Sequence, residues 1–287
     1  MKLIAAVAAI ATVAAMASPG SQPQRKSFLV TVIAPASGPV TDLTAGDFIV
    51  REGGETRDVV SAVRPAFPLA VSLLVDTTQP PPGMDTAPRD LRAALASFVD
   101  SLRASSPGAR IALVEVSGGA VTTAPFDAKP EELTAAIARL FPAHPADAVF
   151  LEAIRAAAAS LSPMPTPRRA IVTVDFNSSE SLNEATMKRM TDALQQSGAT
   201  VWAVSVRLPR AGGSRREPAL NLITKNSGGL RLVANASSGL EAQLKQVADS
   251  LASQYLVDFR RPDASPMKPL QMETTRGLKV HVSPMSR

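Results

Sequence analysis

Apolar runs and helical repeats alternate along most of this chain, from residue 69 to residue 259. The apolar runs have the length of strands and lie at residues 69–75, 110–116, 169–174, 199–206, 229–234 and 254–259. The segments between them carry apolar residues at every third or fourth position, such as Leu240, Leu244 and Val247, which is typical of amphipathic helices. The alternation predicts a doubly wound α/β fold, with helices on both faces of a mostly parallel sheet.

Strand patterns also flank this region at both ends of the chain. Residues 28–34 and 48–52 are predicted strands, and the tail alternates through Leu278, Val280 and Val282. We expect the tail to pair with the N-terminal strands in a small β module. The predicted division is an N-terminal β segment at 27–65, an α/β domain at 66–260 and a C-terminal β tail at 261–287.

The first 17 residues have the pattern of a secretory signal peptide. One positive charge at Lys2 precedes an apolar run that ends in small residues at Ala15 and Ala17. This run is shorter than the roughly 20 residues that a membrane span needs. We therefore predict cleavage after Ala17, a polar linker at 18–26, and an exported mature protein in the periplasm or outside the cell that does not span a membrane.

Composition narrows the classes of function. The chain has 287 residues, a net charge of +5, 4% aromatic residues and no cysteine. Disulfides and thiolate metal sites are therefore excluded, and sparse aromatic residues give nucleic-acid binding little support. Four arginines cluster at Arg207, Arg210, Arg215 and Arg216. They could meet an acidic partner or an anionic surface polymer, but a solvated loop kept soluble by its charge is the preferred interpretation.

Two motifs resemble a known family. The strand at 69–75 ends in Asp76-Thr-Thr78-Gln-Pro80, which resembles the Asp-x-Ser-x-Ser motif after the first strand of the von Willebrand factor A (VWFA) domain. The segment 39–54 resembles the text that precedes this domain in bacterial secreted VWFA-related proteins of the acidobacterial type. Its matching residues are Val40, Leu43, Thr44, Asp47, Phe48, Val50, Glu52 and Gly54. The resemblance implies a VWFA-like fold, and further matches at Asn226–Gly229 and 253–262 extend it over almost the whole mature chain.

The resemblance also implies a metal-ion-dependent adhesion site (MIDAS), whose ligands lie on three loops. Asp76 and Thr78 match the first loop, and Asp175, after the apolar run 169–174, matches the third. Pro80 and Ala148 stand where two hydroxyl ligands belong, with Asp147 beside Ala148 as a substitute. The set Asp76, Thr78, Asp175 and Asp147 would hold Mg²⁺ weakly, as a degenerate site. The alternative is that these carboxylates are solvated remnants at strand ends.

The remaining candidates for chemistry are weak. Ser117 lacks the glycine elbow of a serine hydrolase, since Glu115 stands in the first glycine position, and no phosphate-binding or dinucleotide motif occurs. His144 is predicted to be a loop residue, His281 a surface residue and Trp202 a core residue. We therefore expect a non-catalytic protein that recognises a protein or cell-envelope ligand. The alternatives are a metal-dependent hydrolase that uses Asp76 and Asp175, and a periplasmic structural scaffold without a metal.

Overall fold

The computed structural model describes residues 24–80, 85–142, 148–176, 180, 183–207, 216–261 and 266–283. The predicted signal peptide, His144, Asp147, Arg210 and Arg215 lie outside the described residues. The strands in chain order are β1 (Gln24–Val32), β2 (Phe48–Glu52), β3 (Glu55–Arg57), β4 (Val59–Val63), β5 (Leu69–Asp76), β6 (Arg110–Val116), β7 (Ala120–Ala124), β8 (Arg168–Asp175), β9 (Thr200–Val206), β10 (Arg231–Ala234), β11 (Gln254–Arg261), β12 (Leu270–Thr274) and β13 (Val280–Val282). The helices are α1 (Ala87–Ser105), α2 (Pro130–Arg139), α3 (Phe150–Leu161), α4 (Glu184–Ser197), α5 (Arg216–Ser227) and α6 (Leu240–Ala252).

A six-stranded sheet forms the centre of the larger part, in the order β10-β9-β8-β5-β6-β7. All neighbours in it are parallel except β7, which pairs antiparallel with β6 at one edge. Strand β5 is buried along its whole length, as its unbroken apolar run predicts. Because the connections cross over through helices, the carboxyl ends of β5, β6, β8 and β9 all lie at one edge of the sheet.

Helices cover both faces of this sheet, which confirms the predicted fold class. Residues of α1, α2 and α6 share one apolar core with the sheet, and residues of α3, α4 and α5 share a second. Trp202, on β9, is completely buried in the first core, as predicted. Among the described residues, no helix is both long and apolar enough to cross a membrane.

Both ends of the chain build a smaller β module. A four-stranded antiparallel sheet has the order β13-β1-β11-β4, and a three-stranded sheet has the order β12-β2-β3. The tail thus pairs with N-terminal strands, β13 with β1 and β12 with β2. Apolar residues of the two sheets pack against each other around the buried rings of Phe28, Phe48, Tyr255 and Phe259.

One strand prediction needs correction. Residues 254–259 do form a strand, but β11 pairs antiparallel with β1 and β4 instead of extending the parallel sheet. Its buried side chains alternate at Tyr255, Val257 and Phe259, which suits a sheet with one face on a core. The predicted α/β range 66–260 therefore ends with a strand of the smaller sheet.

Arg168 joins the two parts of the molecule. It lies buried at the start of β8, and its guanidinium donates to the carbonyl oxygens of Phe67 and Leu251 and to Gln254 Oε1 of β11, at 3.0, 3.1 and 2.8 Å. Burial lowers the pKa of Arg168 to about 10. The side chain therefore fixes the amino-terminal end of β8 against β11, and it does so through hydrogen bonds to neutral acceptors.

Candidate functional site

The first candidate residue, Asp76, is the last residue of β5 and is completely buried, with 0% of its surface exposed. Its Oδ1 accepts hydrogen bonds from the Thr78 hydroxyl and, at 2.9 Å, from the Thr78 backbone N–H. Its Oδ2 accepts from the Phe176 N–H at 3.3 Å. The Asp-x-Thr spacing thus folds the loop back on its own carboxylate, as Asp side chains do in turns.

Asp175 lies at the corresponding position of the neighbouring strand β8 and is only 1% exposed. Its Oδ2 accepts a hydrogen bond from the Ser205 hydroxyl of β9 at 2.8 Å. The next residue, Phe176, buries its ring in the core between the sheet and α1, α2 and α6. The structure therefore brings Asp76, Thr78 and Asp175 to the same end of adjacent strands, but as buried groups and not as solvated remnants.

Of the second loop, which leads into α3, the structure describes Ala148 and Val149, and both contribute backbone groups. Ala148 is buried, and its carbonyl oxygen accepts a hydrogen bond from Arg216 Nη2 at 2.8 Å. The Val149 N–H donates to the Ser117 carbonyl at 3.0 Å, which fixes this loop against the end of β6. Asp147, the proposed substitute ligand, lies outside the described residues.

For Arg216, the interpretation of the arginine cluster as a solvated loop is wrong. It begins α5 and is completely buried, whereas Arg207 is exposed. Its Nε donates to Glu180 Oε2 at 2.9 Å, and its Nη1 lies 3.9 Å from Asp175 Oδ1. Its guanidinium carbon also lies 4.6 Å from the centre of the Phe150 ring, a distance suited to a cation–π contact. A permanent positive charge is therefore enclosed at the carboxyl end of the sheet.

Glu180 completes this cluster and was not singled out from the sequence. Its carboxylate accepts the N–H groups of Phe150 and Leu151, both at 3.1 Å, in the first turn of α3. The residue before this helix, Val149, has no polar side chain that could cap it, so Glu180 caps the helix from a distant part of the chain. Burial raises the pKa of Glu180, while Arg216 and the Leu151 N–H act in the opposite direction.

The described residues of the site do not fit a divalent cation. The Thr78 hydroxyl is directed at Asp76, and Pro80 and Ala148 supply no side-chain oxygen. Asp175 accepts from Ser205 and faces the Arg216 guanidinium, which would repel a second cation. Within the part of the chain that the structure describes, no group of three or more His, Asp or Glu residues could hold a metal ion. The weak Mg²⁺ site therefore remains a sequence-based prediction that this geometry does not support.

His281 also differs from its prediction as a surface residue. It lies half-buried on β13, opposite Thr31 of β1. Burial lowers its pKa below the ordinary value of 6.5, and backbone hydrogen bonds with Gly229 and Gly228 oppose that shift. The alternating pattern of the tail predicted that it forms a strand. It did not predict that this strand packs beside the Gly228–Gly229 turn before β10.

The architecture and the site permit a comparison with solved structures. A von Willebrand factor type A protein from Catenulispora acidiphila superposes with a TM-score of 0.51 at 12% identity, over 82% of this chain and 51% of that one. The fold is von Willebrand factor A-like. Proximal thread matrix protein 1 from the mussel byssus gives a TM-score of 0.52 at 18% identity, over 65% of this chain and 48% of that one. This chain thus spans about half the length of the chains in these structures.

A further structure of the mussel protein has a zinc-occupied MIDAS motif and gives a TM-score of 0.51 at 13% identity, over 68% of this chain and 48% of that one. No protein-family model matches the A-like chain, and no curated protein does. At these identities the likeness establishes the fold alone.

Proposed function

We propose that this A-like protein is an exported, non-catalytic binding protein that recognises a protein or cell-envelope ligand. Its recognition surface would be the set of loops at the carboxyl end of the large sheet, where open α/β sheets place their ligand sites. One observation carries the proposal: Asp76 and Asp175 are buried and accept hydrogen bonds from the protein itself. Carboxylates enclosed in this way support the loops, which counts against the hydrolase alternative.

Several of the described residues around the enclosed cluster are exposed and uncharged, whereas Arg207, directly after β9, is exposed and charged. Gln79 and Gly118 are exposed beside the cluster, and Val121, at the start of edge strand β7, is 62% exposed. Phe141 is 66% exposed and follows Leu140, whose carbonyl accepts from Arg92 near the start of α1. Because α1 begins above the carboxyl end of β5, this contact places Phe141 toward the same face. A surface with exposed apolar side chains suits a protein ligand.

Site-specific photo-crosslinking tests the proposal in cells that make the protein. A photo-reactive amino acid at Gln79 reports on the carboxyl end, and the same amino acid at the exposed Arg110, at the start of β6, serves as the matched control. We expect one discrete adduct from position 79, also in the presence of EDTA, and none from position 110. Equal adducts from both positions would favour the scaffold alternative, and no adduct from position 79 would contradict recognition at this face.

Export is a separate part of the proposal and rests on the N-terminal sequence pattern. We expect N-terminal sequencing of protein from the periplasmic fraction or the medium to begin near Ser18. Exported protein that still begins with Met1 would contradict cleavage after Ala17.

A further inference from the structure

A cation that belongs to the chain itself lies where the loops at the carboxyl end meet. We propose that Arg216 is the resident cation of this site, and that its guanidinium takes the place of a divalent metal ion in holding the loops together. The inference concerns how this face is assembled and does not depend on the ligand that it recognises. It therefore stands or falls separately from the proposed binding function.

The contacts of Arg216 support this role. The guanidinium contacts the Ala148 carbonyl in the second loop, and it contacts Asp175 and Glu180 at and after the end of β8. Ala148 and Asp175 are the two positions at which the family resemblance places metal ligands of the second and third loops. One side chain from a fourth segment, the start of α5, therefore joins both loops.

The balance of charge explains why a buried cation is required. Asp175 is 1% exposed and the Glu180 side chain is 10% exposed, so water compensates neither carboxylate fully. Isolated carboxylates are costly to bury unless a cation or hydrogen-bond donors face them. The planar guanidinium can face Glu180 and a carbonyl oxygen at once with separate N–H groups, which a spherical ammonium does less well.

The same geometry leaves a metal ion little opportunity to bind. Mg²⁺ requires oxygen ligands close to 2.1 Å in a nearly octahedral arrangement. Here Glu180 and the Ala148 carbonyl accept from Arg216, and Asp76 accepts from Thr78 and Phe176. A metal ion would have to displace a guanidinium held by these contacts. The stability of the loops at the carboxyl end of the sheet should therefore not depend on divalent cations.

The first experiment uses the unaltered mature protein and measures its thermal unfolding midpoint with 5 mM Mg²⁺, 5 mM Mn²⁺ or EDTA. We expect these midpoints to agree within about 1 °C, since a ligand stabilises only the fold that it binds. Titration with Mn²⁺, followed by its electron paramagnetic resonance signal, should detect no site tighter than millimolar. A midpoint raised by either cation, or a tighter Mn²⁺ site that Asp76→Asn removes, would overturn the inference.

The second experiment removes the resident cation. Arg216→Ser should lower the midpoint by roughly 10 °C, because loss of one partner leaves buried carboxylates uncompensated. Arg155→Ser is the matched control, since Arg155 forms an exposed pair with Glu152 on α3. Arg216→Lys retains the positive charge but lacks the planar guanidinium group. We therefore expect its midpoint to lie between that of Arg216→Ser and that of the unaltered protein.

Rescue by added cations distinguishes a cation site from ordinary packing. Guanidinium ion at 20–50 mM, compared with NaCl at equal ionic strength, should raise the midpoint of Arg216→Ser but not that of Arg155→Ser. Millimolar Mg²⁺ or Mn²⁺ should also stabilise Arg216→Ser, because the uncovered carboxylates become available. An Arg216→Ser midpoint equal to that of the control, or a folded variant that neither kind of cation stabilises, would refute the role of Arg216. If Arg216→Ser does not fold, Arg216→Lys and the cation series on the unaltered protein decide the question.

Discussion

Glu180 and Arg216 form a buried ion pair across 36 positions of sequence, with Arg216 Nε 2.9 Å from Glu180 Oε2. The same carboxylate accepts the first backbone N–H groups of α3. Glu180 therefore joins the starts of two helices to the segment that follows β8. Since Val149 cannot cap α3, one carboxylate both caps this helix and is the nearest negative partner of Arg216.

The first prediction concerns this carboxylate. Glu180→Gln should lower the free energy of unfolding by about 3 kcal/mol, because it leaves Arg216 without its main negative partner in a buried site. Glu152→Gln removes an exposed carboxylate from the first turn of the same helix and should cost less than about 0.5 kcal/mol. Urea unfolding of both variants measures the difference. Equal losses for the two variants would show that the buried pair has no special role.

The second prediction concerns Asp76. Asp76→Ala should lower the free energy of unfolding by about 2–3 kcal/mol without added cation, because the donors from Thr78 and Phe176 lose their acceptor inside the protein. Asp100→Ala, on an exposed position of α1, should change it by less than about 0.5 kcal/mol. Chemical denaturation in EDTA provides the measurement. A gain in stability would instead indicate repulsion between Asp76 and Asp175, as expected if the two carboxylates faced each other without compensation.

The third prediction is a pH dependence due to His281. Burial lowers its pKa below 6.5 in the folded protein, so the unfolded chain binds more protons between the folded pKa and 6.5. Stability should therefore fall as the pH drops through this range, by at most about 1.4 kcal/mol per pH unit for a single group. Lys279 is the charged neighbour that disfavours protonation.

Unfolding free energies of the unaltered protein and of His281→Gln between pH 5 and pH 7.5 test this prediction. Carboxylates titrate in both proteins and cancel in the difference, so we expect the gap between the two curves to change as the pH falls below 6.5. Parallel curves throughout this range would mean that His281 titrates equally in the folded and unfolded states.

The fourth prediction concerns the glycine pair before β10. A Cβ at Gly229 would lie 1.9 Å from the Val201 carbonyl oxygen, whereas a Cβ at Gly119 would meet nothing within 4 Å. Gly229→Ala should therefore lower the free energy of unfolding by about 3 kcal/mol or more, because β9 and the segment that leads into β10 must separate. Gly119→Ala should change stability by less than about 1 kcal/mol. Similar thermal unfolding midpoints for the two variants would be incompatible with this close approach.

The elements of the large sheet could be predicted from sequence because their signals are local. The unbroken apolar run of β5 requires burial on both faces, and the spacing in α6 requires one apolar stripe. These patterns also placed Asp76 and Asp175 at strand ends, and parallel topology then brings such ends together. Periodicity does not indicate which strands pair with each other. The strand β11 was therefore predicted correctly as a strand but assigned to the wrong sheet.

By itself, the sequence of this protein determined the kinds of element, their order and the strand ends at which polar residues gather, because each follows from a few neighbouring residues. Only the tertiary structure decided what those polar residues do. Arg216 resembles any other arginine of a charged loop, and nothing around Glu180 in the sequence marks it as the cap of a distant helix. Burial and charge pairing depend on segments that the fold brings together, and such contacts leave no local pattern in the chain.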